Sequence, residues 1–352
     1  HIRDGADLKR VMSTVVIALL PCVIFGMYNA GYQSLTQFKS DIPVNLINCL
    51  SQGALRLIPI YLVTLIAGGA VEVLFAVVRK HEINEGFLVT SALFPLILPP
   101  TLPWWMAAVG IIFGVFIGKE VFGGTGMNVF NPALTGRCFL FFAYPAQMSG
   151  DIWVAKPAHS FMDIFSSQAD AISRATPLSM ANSNQWFSST DPYKWSDLFW
   201  GLIPGSIGET SAFCVLLGAI VLIATGVGSY KTILGCVLGC LAASSLFYSI
   251  SGEYSRDLMR LAPHFHLVAG GFAFGAVFMA TDPVSSPTTG TGKWIYGIGI
   301  GMLTVLVRAV NPAFPEGMML SILFMNLWAP LIDHYIVEHR IKRRLARVEG
   351  CK

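Results

Sequence analysis

Charge is scarce in this sequence: Asp, Glu, Lys and Arg make up 12% of 352 residues, where a soluble protein carries about 25%. A water-soluble fold of this length needs more charge to cover its surface, which excludes cytosolic, disordered and secreted disulfide-rich classes. Cysteine pairs are missing as well. The seven cysteines form no CxxC motif, so neither a zinc ribbon nor a local iron–sulfur signature is supported. No two histidines stand three or four residues apart within an apolar run, so a b-type haem bundle has no ligands. A P-loop, a Gly-rich loop after a strand for NADH, and a basic aromatic surface for nucleic acid are all absent from the sequence. The opening His1-Ile2-Arg3-Asp4 is too polar for a cleavable signal peptide. Without an initial Met, it leads to the expectation of a natural segment ahead of His1.

What the sequence does hold is 54% hydrophobic residues with 34 Gly and 19 Pro, the composition of a polytopic membrane protein with interrupted helices. A spanning helix needs about 20 mostly apolar residues. Residues 11–30, 57–78, 104–122, 209–227, 230–251, 294–310 and 317–336 qualify, and three shorter runs, 87–99, 129–145 and 264–281, are flanked or broken by Gly and Pro. Broken segments leave backbone groups that can face an ion or ligand. Arg3, Lys9 and Arg10, then Arg79 and Lys80, then Arg340, Lys342, Arg343, Arg344, Arg347 and Lys352 fall on one side of a ten-span chain. The positive-inside rule makes that side cytoplasmic, with both termini there; Arg256 and Arg260, on the opposite side, run against it. Residues 146–200 are polar and far longer than a helix connector, and emerge on the periplasmic side.

Asn131-Pro132-Ala133 recurs as Asn311-Pro312-Ala313. Each follows a proline-containing break, Pro99-Pro100 or Asp282-Pro283, with a Gly-rich span between. The expected fold is therefore an all-α polytopic membrane protein of about ten transmembrane helices, as two inverted five-helix repeats with broken half-helices. Its parts are a first repeat at 1–145, a periplasmic loop at 146–200, a second repeat at 201–338 and a basic cytoplasmic tail at 339–352. Trp104 and Trp105 read as an interfacial belt, and Cys236 and Cys240, one turn apart, as small packing residues.

Three acids, Glu72, Asp282 and Asp333, lie in or near apolar segments. A charge at the bilayer centre costs roughly 2.5–3.5 kcal/mol, so each marks an ion or proton path, a buried pair, or a hydrated place near an interface. Gly68-Gly69 opens a face of the second span and permits close helix packing. In the long loop, Thr176 before Pro177 reads as an N-cap followed by proline at the first helical position.

The same loop carries Asp170-Ala-Ile-Ser173-Arg174-Ala175-Thr176, which resembles the flavinylation motif of the Na+-translocating NADH:quinone reductases (Nqr) and the related Rnf complexes. The resemblance spans essentially the whole chain. Ile2-Arg3-Asp4 with Asp7-Leu8-Lys9-Arg10, Gly68-Gly69-x-x-Glu72, Asn128-Val-Phe-Asn131-Pro132-Ala133, Ala280-Thr281-Asp282-Pro283-Val284 and Pro330-Leu331-Ile332-Asp333 all look like the NqrB/RnfD family, and more like its Nqr branch. One departure is Arg174, where the wider motif often has Gly; a cation there suits an anionic phosphate.

The resemblance implies a membrane subunit of a sodium-pumping NADH:ubiquinone oxidoreductase in the bacterial inner membrane, surrounded by lipid and by the other Nqr subunits, one of which oxidises NADH. It implies FMN joined by a flavin transferase to the Thr176 hydroxyl, with Asp170 and Ser173 belonging to the recognition motif. It further implies riboflavin at Asn128 and Asn131, two amides whose spacing also suits capping of a broken helix. Ubiquinone is expected near Gly68 and Gly69, and Na+ at Glu72, Asp282 and Asp333. Electrons are expected to pass from FMN through riboflavin to quinone, coupled to Na+ export. Two other readings stay open: the RnfD-type component of a ferredoxin:NAD oxidoreductase, and a non-redox inverted-repeat channel. Paired NPA motifs are the aquaporin signature, but aquaporins have fewer spans, closer NPA motifs and an Arg directly after the second, where Phe314 stands here.

Overall fold

In a bilayer every backbone polar group must find its partner within the chain, and the apolar runs accordingly coil into helices. The computed structural model describes residues 8–38, 42–80, 86–148, 153–157, 171–172, 175–188, 193–252 and 255–349. The first half comprises α1 (Leu8–Gln37), α2 (Leu46–Arg79), the short α3 (Gly86–Leu96), α4 (Trp104–Gly118) and α5 (Pro132–Ala143). The connecting region holds α6 (Pro145–Met148), a two-residue antiparallel pair of β1 (Val154–Ala155) and β2 (Ala171–Ile172), α7 (Pro177–Asn182) and α8 (Trp195–Trp200). The second half comprises α9 (Ala212–Ala224), α10 (Tyr230–Ile250), α11 (Asp257–Arg260), a broken stretch of α12 (Pro263–Val268), α13 (Phe272–Phe274) and a π turn at Gly275–Met279, then α14 (Gly290–Val310) and α15 (Met318–Glu349).

Each of the ten apolar runs coincides with helix. Six helices are long and apolar enough to cross a membrane, while α3, α5 and α9 are shorter. The run expected as a full span at 209–227 becomes helical only at Ala212, where the Ser211 hydroxyl caps it by accepting from Cys214 N at 3.3 Å. The residues before it form turns and pair with the unwound end of α3, Ile207 N donating to Leu98 O at 3.2 Å and Gly208 N to Leu96 O at 2.7 Å. Two broken ends thus satisfy each other's backbone groups away from water. Large apolar side chains such as Ile66, Val77 and Val78 of α2 and Ile220 of α9 point outward, whereas Thr64, Gly68, Glu72 and Ala76, four residues apart, form the buried stripe of α2. An apolar exterior around a partly polar interior is the build of an all-α polytopic membrane protein.

The two halves pack alike. α2 lies on α4 and α4 on α5, as α10 lies on α14 and α14 on α15, and α1 packs against α9 across the halves. At the α10–α14 crossing, Gly235 and Gly239 meet Gly297 and Gly301 with backbones in contact: a Cβ on Gly235 would sit 3.1 Å from Gly297 Cα. Cys236 and Cys240, free and fully buried, fill the same seam.

Candidate functional site

Two cavities sit at opposite ends of the bundle. α5 starts at one with Pro132 and reaches the other with Phe141, and the segment leading into α9 lines the second while Leu222 near its end lines the first. The first cavity, about 80 Å³, is lined by Lys119, Thr125, Asn128, Asn131, Thr281 and Asp282 among others. The second, about 250 Å³, is lined by Trp153, Thr176, Glu209, Gly271, Phe314 and Glu316 among others.

The first cavity collects residues from both halves of the sequence. Asn131 caps α5, its Oδ1 accepting from Ala133 N at 3.0 Å and Leu134 N at 3.3 Å, with Pro132 at the first helical position. Asn128 donates from Nδ2 to Phe130 O at 3.1 Å. The capping role expected of this pair is present at Asn131, and these bonds leave the Asn131 amide nitrogen and the Asn128 amide oxygen unused. Asp282 arrives from the turn after the π segment, accepting from Val284 N at 3.1 Å and Ser285 Oγ at 3.0 Å. Lys119 ends α4 and is almost wholly buried; its ammonium pairs with Glu72 on α2, whose carboxylate is equally buried. Beside it Arg79 pairs with Glu120 at 3.4 Å. Glu72 thus stands in a buried pair, one turn from Gly68.

Gly68 is closed in: a Cβ there would lie 2.5 Å from the Phe87 ring and 2.9 Å from Ile111. At Gly69 it would meet only Phe87, at an ordinary 3.6 Å. Asp333 is a cap, not part of either cavity lining. It accepts from Thr288 N at 2.6 Å, Thr288 Oγ1 at 2.8 Å and Thr289 N at 3.2 Å, fixing the start of α14. Among the described residues no three His, Cys, Asp or Glu side chains gather as a metal-binding group.

The second cavity holds the loop threonine. Thr176 caps α7, its Oγ1 accepting from Ser179 N at 3.2 Å, and Pro177 follows at the first helical position. α7 is fastened to the rest of the chain: Asn182 donates to Pro312 O at 2.9 Å, Arg256 bonds both Asn182 Oδ1 and Ala309 O, and Asp257 accepts from Trp186 N at 2.9 Å. Arg260 lies over the Phe187 ring at 4.8 Å. The two arginines that run against the charge asymmetry are therefore occupied in holding the loop. Asp170 and Ser173 lie outside the described residues.

The cavity wall contains a charge cluster that sequence reasoning missed. Arg137 of α5 reaches Glu209 at 3.0 Å and Glu316 at 2.7 Å. Ser206 Oγ donates to Glu209 at 2.6 Å. Arg308, fully buried, donates to the carbonyls of His266 and Ala269, both at 2.8 Å, and of Glu316 at 3.0 Å. It thereby satisfies the helix break between α12 and α13. The two glutamates line the cavity, and Arg137 behind them pairs with both. The same cost argument that singles out Glu72 would have found Arg137 and Arg308 within their apolar runs. Trp153, 7% exposed, lines this cavity with a buried indole N–H that has no acceptor among the described residues.

The sequence model of the NQR2, RnfD, RnfE family matches residues 1–342. The chain is similar to the B subunit of the Na(+)-translocating NADH-quinone reductase of Stutzerimonas stutzeri, 50% identical over 99% of this chain and 88% of that protein. The B subunit from Chromohalobacter salexigens is 50% identical over 99% of this chain and 86% of its own length. That of Pseudomonas aeruginosa is 49% identical over 99% and 88%.

Proposed function

We propose a function from the premise that this chain belongs to the NQR2, RnfD, RnfE family: it is the NqrB component of a Na+-translocating NADH:quinone reductase, an oxidoreductase and translocase working only in its complex. The observation that carries the reading is the second cavity, where Thr176 lines about 250 Å³ beside the Trp153 indole N–H, which has no acceptor among the described residues. Those features fit FMN esterified to Thr176. The tethered oxygen fixes one end, Trp153 offers a donor, and Arg137, paired with both Glu209 and Glu316, offsets part of the negative charge that those carboxylates bring to the cavity. The motif residues Asp170 and Ser173 present the loop to the flavin transferase.

The first cavity fits the edge of riboflavin. Asn128 and Asn131 bring an amide oxygen and an amide nitrogen, and Thr90 and Thr125 bring hydroxyls. When bound, the two flavins supply one-electron carriers between the partner subunits and ubiquinone. Ubiquinone is assigned to the α2 face at Gly68 and Gly69, and the Na+ path to Glu72, Asp282 and Asp333. The like packing of the two halves supports a duplicated, inverted arrangement: repeats at 1–145 and 201–338, the flavin loop at 146–200 and a tail at 339–352. Its setting is the bacterial inner membrane, with the Thr176 end periplasmic and both termini cytoplasmic.

The test is a denaturing gel of the complex, purified from cells that contain the flavin transferase, viewed under ultraviolet light. A fluorescent band from the native chain, lost in Thr176→Ala, and a peptide mass increased by FMN are expected. A dark native band with an unmodified peptide would overturn the assignment.

A further inference from the structure

Lys119 pairs with one acid of the proposed ion path and shares a cavity with another. It is buried and paired with Glu72, and it lines the same cavity as Asp282. Its neighbours Arg79 and Glu120 neutralise each other. Glu72, Asp282 and Lys119 therefore sum to one uncompensated negative charge when all are ionised, and the acid without the ammonium is left needing a cation. A buried carboxylate is costly unless a cation faces it.

We infer that Lys119 is a tethered competitor for Glu72: its ammonium holds the carboxylate when no metal cation does, and a monovalent cation enters by displacing it towards the cavity that carries Asp282. Lys119 then sets the affinity of Glu72 for Na+ as a positioning residue. The inference rests on the proposed Na+ path. The geometry explains the choice of lysine. An ammonium is a compact point charge on a flexible four-carbon stem, able to leave one oxygen for another, whereas a guanidinium binds a carboxylate through a planar two-pronged fork. A charge placed only for stability has no need of that freedom.

A competitor lowers apparent affinity by the fraction of time it occupies the site. Removing it and strengthening it must therefore act in opposite directions. In the purified complete complex, Lys119→Met is expected to lower the half-saturating Na+ for quinone reduction about ten-fold, as for a site held by its competitor nine-tenths of the time. Lys119→Arg is expected to raise it several-fold. A second readout needs no turnover: Na+-induced thermal stabilisation, with choline chloride as control and without NADH or quinone, grows as ligand concentration exceeds Kd. It should appear at lower Na+ in Lys119→Met and at higher Na+ in Lys119→Arg, and with Glu72→Gln added to each the two should no longer differ.

If both Lys119 variants shift Na+ dependence the same way, or neither shifts it while Glu72→Gln does, the competitor role is wrong and the Na+ path stands. If the native complex shows a Na+ response that Glu72→Gln leaves unchanged, the Na+ path itself is wrong. Should Lys119→Met fail to assemble, Lys119→Arg retains the charge and decides the question by its sign.

Discussion

Arg137 holds two carboxylates that arrive from loops 72 and 179 residues away, so its loss leaves the buried Glu209 and the partly buried Glu316 without their paired guanidinium. Breaking a buried pair by removing one partner costs about 3–5 kcal/mol. Arg137→Met is therefore expected to lower the melting temperature of the purified complex sharply, and Glu209→Gln added to it should recover part of the loss by removing one stranded charge. The neighbouring glycines on α2 make a finer contrast. Gly68→Ala has to push Phe87 and Ile111 aside, an overpacking cost of about 1–3 kcal/mol, whereas Gly69→Ala meets only an ordinary contact. Thermal stability should fall for the first and hold for the second. If the quinone lies on this face, Gly69→Ala should instead raise its KM.

At the scale of elements, the seam between α10 and α14 is set by glycines that allow backbone contact. Gly239→Leu would drive its first carbon into the Ile298 carbonyl and is expected to abolish recovery of the assembled complex, while Leu238→Ala, one residue away and outward-facing, should leave it intact. These elements were largely legible in the sequence because each is a local property. Ten apolar runs gave ten helical regions, and Thr176-Pro177 gave a capped helix start. Two departures have a physical cause. The ninth helix is shorter than its apolar run because the residues before Ser211 commit their backbone groups to the frayed end of α3, and the run at 264–281 breaks where Arg308 supplies donors that a helix would otherwise supply. Neither partner is near in sequence. The site was legible in the same uneven way: Asn128, Asn131 and Asp282 carry visible motifs and line one cavity, but the pairing of Glu72 with Lys119, 47 residues on, has no periodic trace. A lysine at the end of an apolar span reads only as a charge at the interface.

The whole molecule places its two cavities at opposite ends of the bundle, and α5 and α9 run from one to the other. Thr176 and the group of Asn128, Asn131 and Asp282 thus line different cavities separated by the helical layer, an arrangement that suits the proposed movement of charge across it. By the positive-inside rule, the basic residues of the α15 extension put that end in the cytoplasm under the proposed orientation. Ser183, exposed just after α7, and Arg343, exposed on the α15 extension, mark the two ends. In a background with Cys351→Ser, Ser183→Cys is expected to react with a membrane-impermeant maleimide in intact spheroplasts. Arg343→Cys, on the proposed cytoplasmic tail, should react only in inverted vesicles, with little background because five of the six remaining cysteines are buried. Labelling of both positions from the same side would refute the ten-span path and, with it, the separation of the two cavities by the membrane. A transposed result, with Arg343→Cys reactive in spheroplasts, would keep the path but invert the direction in which Na+ is proposed to move.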